Sequence, residues 1–147
     1  MQKVIPFLWF DGKAREAAEF YTEVFKAPPP RGKGGGVTFE VAGLKIHAFD
    51  GGPMFTFNET ISLYVDCADQ TEVDYYWQRL TEGGEESQCG WLKDRFGVSW
   101  QIVPRALPRL LGDPDPDRSQ RAMQAMLKMR KLDVAALEAA ADGDAGA

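Results

Sequence analysis

Residues that build metal and redox sites are scarce in this chain. Its 147 residues include one histidine and two cysteines. Cys67 and Cys89 are far apart, so they form no Cys-x-x-Cys zinc or redox motif, and two cysteines are too few for a disulfide framework. These absences exclude the disulfide-rich secreted class and predict a reducing, cytoplasmic location.

Long apolar runs and an excess of positive charge are also absent. No run approaches the ~18 apolar residues of a membrane-spanning helix, and the opening segment MQKVIPFLWFDG lacks the apolar core of a signal peptide. The net charge is −5, from 17 basic and 22 acidic residues, and a negative surface repels a phosphate backbone. The sequence predicts a globular protein with neither a membrane nor a nucleic acid as partner.

The chain contains two copies of one pattern. Residues 5–25 align with residues 60–80 without a gap, and each copy runs from alternating apolar residues through an aspartate into an amphipathic helix. Identical residues occupy the aligned pairs Leu8 and Leu63, Asp11 and Asp66, and Tyr21 and Tyr76. The repeat predicts two similar modules, each opening with a strand and a helix.

Further strands are predicted after each helix. In the first half, residues 37–42 and 44–49 are joined by a tight turn, and in the second half, residues 85–92 and 98–103 flank a polar turn. The segment KAPPPRGKGGG follows the first helix, and its prolines and glycines predict a flexible loop in place of a strand.

Strict alternation along residues 85–92 assigns their side chains to opposite faces. One face is predicted to carry Ser87, Cys89 and Trp91, and the other Glu86, Gln88 and Leu92. The polar residues Lys93, Asp94 and Arg95 are predicted to form a solvated hairpin tip.

Beyond Pro104 the pattern becomes helical. Residues 107–111 form a short helical turn, Asp115 caps a helix that is predicted to reach about residue 130, and Asp133 begins a last helix that ends at Ala141. The residues after this helix are predicted to be disordered. A packing or dimer face is predicted for Met123, Met126 and Met129, because methionine fills irregular gaps.

Together these elements predict an α+β fold built from paired β-α-β-β(-β) modules. Module one spans about residues 1–53, module two about residues 58–104, and a C-terminal helical extension residues 105–141. The whole chain, residues 1–147, is predicted to form a single domain.

Four segments resemble the PhnB-like branch of the vicinal oxygen chelate superfamily, the glyoxalase, bleomycin resistance and extradiol dioxygenase group. The branch is often labelled 3-demethylubiquinone-9 3-methyltransferase. The segments are PFLWFDGKAREAAEFY, DGGPMFTFNETISLYVDC, GGEESQCGWLKDRFGVSWQIVP and DPDPDRSQRAMQAMLKM. The resemblance implies curved sheets around a cavity, helices outside them, and a homodimer.

Methyl transfer has no support from the residues themselves. An S-adenosylmethionine site of the usual kind needs a glycine-rich turn between a strand and a helix. Gly34, Gly35 and Gly36 precede a predicted strand instead. Methyl transfer therefore rests on the family label alone, and whether the protein is an enzyme stays open.

Metal binding is tested by the ligand positions that the superfamily uses. The resemblance places a ligand six residues before the aspartate of each module, at Ile5 and Thr60, and neither residue is a good metal ligand. His47 stands where the branch usually has an apolar residue, and it has no predicted partner ligand. The sequence predicts no metal site and no cofactor.

The same alignment orients the first strand of each module. Ile5, Phe7 and Trp9 are predicted to face the cavity, opposite Ser62 and Tyr64. The predicted helix-facing residues are Pro6, Leu8, Phe10, Ile61, Leu63 and Val65. The candidate ligand-binding residues are Phe7, Trp9, His47, Ser62, Tyr64, Ser87, Cys89 and Trp91.

Several roles stay open at this stage. Cys89 is a nucleophile or a buried structural cysteine, and the neighbouring Glu85 and Glu86 would raise the pKa of its thiol. The aromatic candidates stack on a ligand or belong to the core. Catalytic residues cannot be named from the sequence.

Three functions fit these observations. The first is a metal-independent glyoxalase-fold protein that binds a small aromatic or hydrophobic molecule. The alternatives are a metal-dependent lyase or dioxygenase that uses His47, and a protein that sequesters a small molecule without turnover. A homodimer is expected in each case, because a module that lacks a strand leaves an open sheet edge.

Overall fold

The structure, a computed structural model, describes residues 1–144. The chain divides into two compact units, an N-terminal unit of Met1–Phe57 and a C-terminal unit that begins at Asn58. The disorder predicted for the chain end falls partly on residues 145–147, which lie outside the described residues. Among residues 1–144, no helix is both long and apolar enough to cross a membrane.

The N-terminal unit is a three-stranded sheet with one helix. Its elements are β1 (Phe7–Phe10), α1 (Ala14–Val24), β2 (Gly36–Val41) and β3 (Leu44–Asp50). The strand order is β1-β3-β2, with β1 parallel and β2 antiparallel to β3. The predicted turn joins β2 to β3, since Ala42 and Gly43 both have positive φ, as a two-residue hairpin loop requires.

One face of this sheet is buried under α1. The helix contributes small residues and one tyrosine, so the two elements approach closely. The buried set is Phe10, Ala14, Ala17, Ala18, Tyr21, Val24, Phe39, Ile46 and Ala48. Asp50 Oδ1 accepts a hydrogen bond of 2.8 Å from the backbone N–H of Ala14, so the end of β3 fixes the start of α1.

The C-terminal unit contains a four-stranded sheet. Its first elements are β4 (Ser62–Cys67), α2 (Gln70–Thr81), β5 (Glu85–Glu86), β6 (Trp91–Lys93) and β7 (Ser99–Pro104). The strand order is β4-β7-β6-β5, with β4 parallel to β7 and antiparallel pairing elsewhere. Asp69 caps α2 as predicted, accepting a hydrogen bond of 3.0 Å from the backbone N–H of Glu72.

The two units repeat one arrangement, as the sequence repeat predicts. In each, the first strand lies parallel to the last strand, and the helix covers one sheet face. The N-terminal unit has one strand fewer. Residues 26–35 contain no strand and make a single bridge, in which Arg31 and Thr38 exchange hydrogen bonds of 2.8 and 2.7 Å.

The predicted strand over residues 85–92 is wrong. β5 and β6 pair with each other, Glu85 opposite Lys93, so the chain reverses between them. Cys89 and Gly90 have φ of 60° and 85°, and their N–H groups donate to the carbonyls of Met129 and Arg130, each at 2.8 Å. Positive φ at two successive residues breaks the alternation, so the predicted common face of Ser87, Cys89 and Trp91 does not exist.

Three helices follow the second sheet: α3 (Ala106–Leu111), α4 (Pro116–Met126) and α5 (Val134–Ala141). The predicted caps Asp115 and Asp133 accept backbone hydrogen bonds of 2.9 and 3.0 Å. α4 ends at Met126, earlier than predicted, because the chain then turns to present carbonyl groups to the hairpin between β5 and β6.

The helical extension has its own apolar core beside the end of β7. This cluster contains Val103, Leu107, Leu110, Ala122, Leu132, Leu137 and Ala141. Met126 and Met129 pack against it, whereas Met123 is exposed, so the predicted methionine face is divided. The architecture of the described residues is mixed α+β, with two open sheets, five helices and no closed barrel. That the chain acts as a single domain stays a prediction.

Candidate functional site

The face of the N-terminal sheet opposite α1 is largely aromatic. β1 and β3 lie side by side, with Phe7 opposite His47 and Trp9 opposite Phe49. The intervening residues of both strands face α1, so these four side chains share the opposite face of the sheet. Phe7, Trp9, Phe49 and the nearby Phe55 form the set that we call the aromatic platform.

The rings of the aromatic platform pack against one another, Phe7 and Phe49 at a tilt and the other two pairs edge to face. Ring centroids lie 5.1 Å apart for Phe7 and Phe49, 5.0 Å for Trp9 and Phe49, and 4.9 Å for Trp9 and Phe55. Trp9 Nε1 donates a hydrogen bond of 2.9 Å to the carbonyl of Gly52. The platform is preorganised, because each ring is fixed by a neighbouring ring or by a hydrogen bond.

His47 gives this face its polar group. Its Nδ1 lies 2.8 Å from Thr38 Oγ1, and its ring meets Phe7 edge-on at 6.3 Å between centroids. Among the described residues, Nε2 has no hydrogen-bond partner. His47 can therefore offer one ring nitrogen to a ligand while Thr38 orients the ring.

The donor atoms of the described residues do not fit a divalent metal site of the superfamily's kind. Thr60 Oγ1 is held by Asn58 Oδ1 at 2.6 Å, and Ile5 has no donor side chain. No group of three histidine, cysteine, aspartate or glutamate side chains comes together within residues 1–144. His47 alone is a poor metal site.

The face of the C-terminal sheet opposite α2 is more polar. One row across the strands consists of Lys93, Ser99 and Ser62. Two residues further along each strand, a second row consists of Trp91, Gln101 and Tyr64. Gln101 Nε2 donates a hydrogen bond of 2.9 Å to Ser62 Oγ. Partial burial, with the charge of Asp66 as a smaller cause, raises the pKa of Tyr64, so the phenol remains a hydrogen-bond donor at neutral pH.

A pocket of about 190 Å³ opens at the edge of this polar face. Its lining includes Glu59, Glu85, Trp91, Lys93 and Ser99. Lys93 Nζ lies 2.9 Å from Glu59 Oε1, and this hydrogen-bonded pair lowers the pKa of Glu59 and raises the pKa of Lys93. Both groups are therefore charged at neutral pH.

The eight predicted ligand-binding residues fall into three places. One face of the N-terminal sheet carries Phe7, Trp9 and His47. The face of the C-terminal sheet opposite α2 carries Ser62, Tyr64 and Trp91. Ser87 is exposed in the turn after β5 and reaches the pocket. Cys89 lies in the same turn, away from both faces, and its backbone joins the extension.

Two further predictions about orientation are corrected. Ile61 does not pack on a helix; it precedes β4 and is 77% exposed. Asp94 is not part of a solvated tip, because it is 3% exposed and its carboxylate binds inside the turn. Its Oδ1 accepts hydrogen bonds of 2.9 and 3.0 Å from the N–H groups of Phe96 and Val98, and Oδ2 one of 2.8 Å from Trp100 Nε1.

The thiol of Cys67 is poorly placed to act as a nucleophile. It is fully buried, and desolvation, followed by the charges of Glu72 and Asp66, raises the pKa of its thiol to about 12. A thiol that stays protonated is a weak nucleophile.

Sequence patterns did not assign several residues of these two faces to a candidate site. They are Thr38, Phe49, Lys93, Ser99 and Gln101. Thr38 and Gln101 had a readable signal, because each is a polar residue between two buried apolar neighbours of one strand. Lys93 was predicted to lie in a solvated hairpin tip, whereas it is the last residue of β6.

Comparison with known proteins agrees with the fold. Residues 2–103 match the family described as 3-demethylubiquinone-9 3-methyltransferase. The PhnB protein of Bacillus cereus is 31% identical, with a TM-score of 0.63, over 70% of this chain and 99% of that chain. No functionally curated protein matches the sequence.

More distant structures share the fold alone. Protein PA1353 of Pseudomonas aeruginosa is 20% identical, with a TM-score of 0.58, over 68% of this chain and 95% of its own. The fosfomycin resistance protein FosX of Listeria monocytogenes, solved with Mn(II) and a sulfate ion, is 19% identical, with a TM-score of 0.52. The match covers 68% of this chain and 90% of that chain.

Paired β-α-β-β modules with open sheets define a glyoxalase-like protein, and the solved structures share this fold. Within that class, the chain belongs to the 3-demethylubiquinone-9 3-methyltransferase family, the PhnB-like branch of the vicinal oxygen chelate superfamily. The helices from Ala106 to Ala141 lie beyond the residues that the family description covers.

Proposed function

We propose that this protein binds a small aromatic or hydrophobic molecule on the aromatic platform, without a metal ion. The observation that carries the proposal is the exposure of fixed aromatic rings. Phe7 and Phe55 are 60% and 59% exposed, although each packs against another ring of the platform. Contiguous exposed aromatic surface commonly marks a binding site.

The platform suits a flat apolar ligand for two reasons. Covering exposed ring surface releases about 25 cal/mol for each Å² of apolar area removed from water. The rings are also already ordered by one another and by the hydrogen bond from Trp9 Nε1 to Gly52, so binding loses little side-chain entropy. His47 adds a polar contact at the edge of the same face, which favours a ligand with a hydroxyl or carbonyl group.

Methyl transfer is not part of the proposal. The connection from β1 to α1 contains one glycine, Gly12, and the connection from β4 to α2 contains none. Neither forms the glycine-rich turn that receives the charged part of a nucleotide-like cofactor. The family description is therefore the only basis for that activity. Likewise, the donor set around His47 gives no basis for metal-dependent lyase or dioxygenase chemistry.

The test measures binding of 1-naphthol by isothermal titration calorimetry, with protein dialysed against a chelator. We expect Phe7→Ala to weaken binding about 3- to 10-fold, because it removes one exposed ring of the platform. Leu127→Ala is the matched control. It also truncates an exposed apolar side chain, but this residue follows α4 in the C-terminal unit. The variant should leave the affinity for 1-naphthol unchanged.

Two results would contradict the proposal. One is equal affinity of Phe7→Ala and the unaltered protein for 1-naphthol. The other is binding that appears only after a divalent metal is restored to the dialysed protein. Phe7→Ala should fold normally, because the ring it removes is mostly exposed.

A further inference from the structure

Ser99 has a buried hydroxyl that lacks a partner. The residue is 2% exposed, and among the described residues its Oγ makes no hydrogen bond. Buried side-chain hydroxyls almost always find a partner, since leaving one unsatisfied opposes folding. A ligand that binds next to such a hydroxyl can gain a hydrogen bond that the protein itself does not make.

The pocket beside Ser99 provides the space for such a group. Ser99 lines the cavity of about 190 Å³, together with the ring of Trp91 and the side chains of Lys93, Glu59 and Glu85. Ser99 and Lys93 are cross-strand neighbours, and Glu85 is in turn opposite Lys93. Ser99, Trp91 and Glu85 therefore line one small volume.

The charges around the pocket favour a cation. Its lining contains three carboxylates, those of Glu59, Glu85 and Glu86, and one ammonium group, that of Lys93. Lys93 is already neutralised by Glu59 at 2.9 Å. Glu86 is engaged elsewhere, since its Oε2 accepts a hydrogen bond of 3.0 Å from Trp77 Nε1 and its Oε1 lies 3.8 Å from Arg130 Nη1. Glu85 lies opposite Lys93 across the strands, and its charge also acts on Lys93. Because Lys93 forms its ion pair with Glu59, Glu85 is the carboxylate of this lining that can also meet a ligand cation, and the excess of carboxylates disfavours an anion.

We propose that this pocket binds a small organic ammonium compound. One N–H of the ligand donates to Ser99 Oγ and another to the Glu85 carboxylate, while the Trp91 ring receives the cation on its face. Lys93 remains paired with Glu59 and closes one side. The site belongs to the C-terminal unit and does not depend on the aromatic platform.

The test compares three probes of one size: butylammonium, 1-butanol and butanoate. None has an aromatic ring, so the result is independent of the aromatic platform. We expect butylammonium to bind about tenfold more tightly than 1-butanol, butanoate to bind most weakly, and butylammonium binding to weaken at high ionic strength. Titration calorimetry or ligand-observed NMR measures all three. Butanoate binding as tightly as butylammonium would overturn the proposal.

Two variants locate the site. Glu85→Gln should weaken butylammonium binding about 3- to 10-fold, and Ser99→Ala by a similar factor. The matched control, Glu82→Gln, removes another exposed carboxylate, at the end of α2, and should leave the affinity for butylammonium unchanged. Ser99→Ala should melt at the same temperature as the unaltered protein or higher, because it removes an unsatisfied hydroxyl.

These variants separate binding from structure. A purely structural Ser99 would leave butylammonium affinity unchanged in Ser99→Ala, and that result overturns the role of its hydroxyl. Glu85 is exposed, so Glu85→Gln tests the site even if Ser99→Ala does not fold. Equal affinity in Glu85→Gln and Glu82→Gln overturns the site itself.

Discussion

Asp94 is a buried carboxylate that accepts three hydrogen bonds, two from backbone N–H groups and one from the indole of Trp100. These bonds close the turn between β6 and β7 and fix the ring of a fully buried tryptophan. A buried carboxylate is retained when such donors replace the water that it has lost. Its position explains how a polar turn can anchor the C-terminal sheet.

At the residue scale, Asp94→Asn tests this anchoring. The amide group replaces one carboxylate oxygen and brings an N–H donor against an N–H donor of the turn or of Trp100. We expect the free energy of unfolding to fall by about 2 to 3 kcal/mol, measured by urea denaturation. Asp11→Asn, at an exposed position, is the control and should change it by less than about 0.5 kcal/mol. Equal midpoints for the two variants would refute the anchoring role.

Local sequence patterns were informative about residues on regular strands. Alternation placed Phe7 and Trp9 on one face of β1, and Ser62 and Tyr64 on one face of β4, as the registers require. The role of Cys89 depends on a carbonyl group that a distant segment, residues 129–130, brings to its turn. No pattern within a few residues of Cys89 contains that information. The donors to Asp94 are local, from Phe96, Val98 and Trp100, but the polar letters of the turn do not distinguish a buried carboxylate from a solvated one.

At the element scale, the turn from β5 to β6 is hydrogen-bonded to residues 129 and 130 of the C-terminal helical extension. Cys89 has a φ of 60°, which costs a residue with a side chain about 1 kcal/mol more than glycine. The two hydrogen bonds to residues 129 and 130 hold the turn in this conformation. The left-handed conformation, rather than the thiol, is what the structure requires of position 89.

Substitution at Cys89 tests that statement. Cys89→Gly should keep the stability or raise it by up to about 1 kcal/mol, because glycine adopts positive φ freely. Cys89→Val should lower it by about 1 to 2 kcal/mol, because a β-branched residue is strained there. Thermal or urea unfolding of both variants measures the difference. A valine variant as stable as the glycine variant would show that the conformation is not limiting.

Elements with local start signals were predicted well. Asp69, Asp115 and Asp133 each cap a helix at the position that the sequence indicates. The division of residues 85–92 into two strands and the early end of α4 were missed together. They have one cause, the contact between the hairpin turn and residues 129–130, which overrides strand alternation and helix periodicity.

At the scale of the whole molecule, we propose that the protein is a homodimer. Each sheet ends in strands that pair on one side only, β1 and β2 in the N-terminal unit and β4 and β5 in the C-terminal unit. Beyond β2, the chain adds a single bridge at Arg31 and Thr38 in place of a strand. Such edges are usually covered by a partner or protected from pairing.

Sedimentation equilibrium at micromolar concentration measures the state of assembly. We expect a mass of twice the chain mass of 16.3 kDa. A monomer at this concentration would contradict the proposal and leave the edges to be protected by their short length and charge.

Binding of a small apolar molecule to the aromatic platform can be observed by NMR. Amide shifts of metal-free, ¹⁵N-labelled protein are followed during titration with 1-naphthol. We expect saturable shifts that are largest in β1 and β3, around Phe7, Trp9 and Phe49, and that are reduced in Phe7→Ala. Saturable shifts confined to other elements, or no shifts at all, would contradict the proposal.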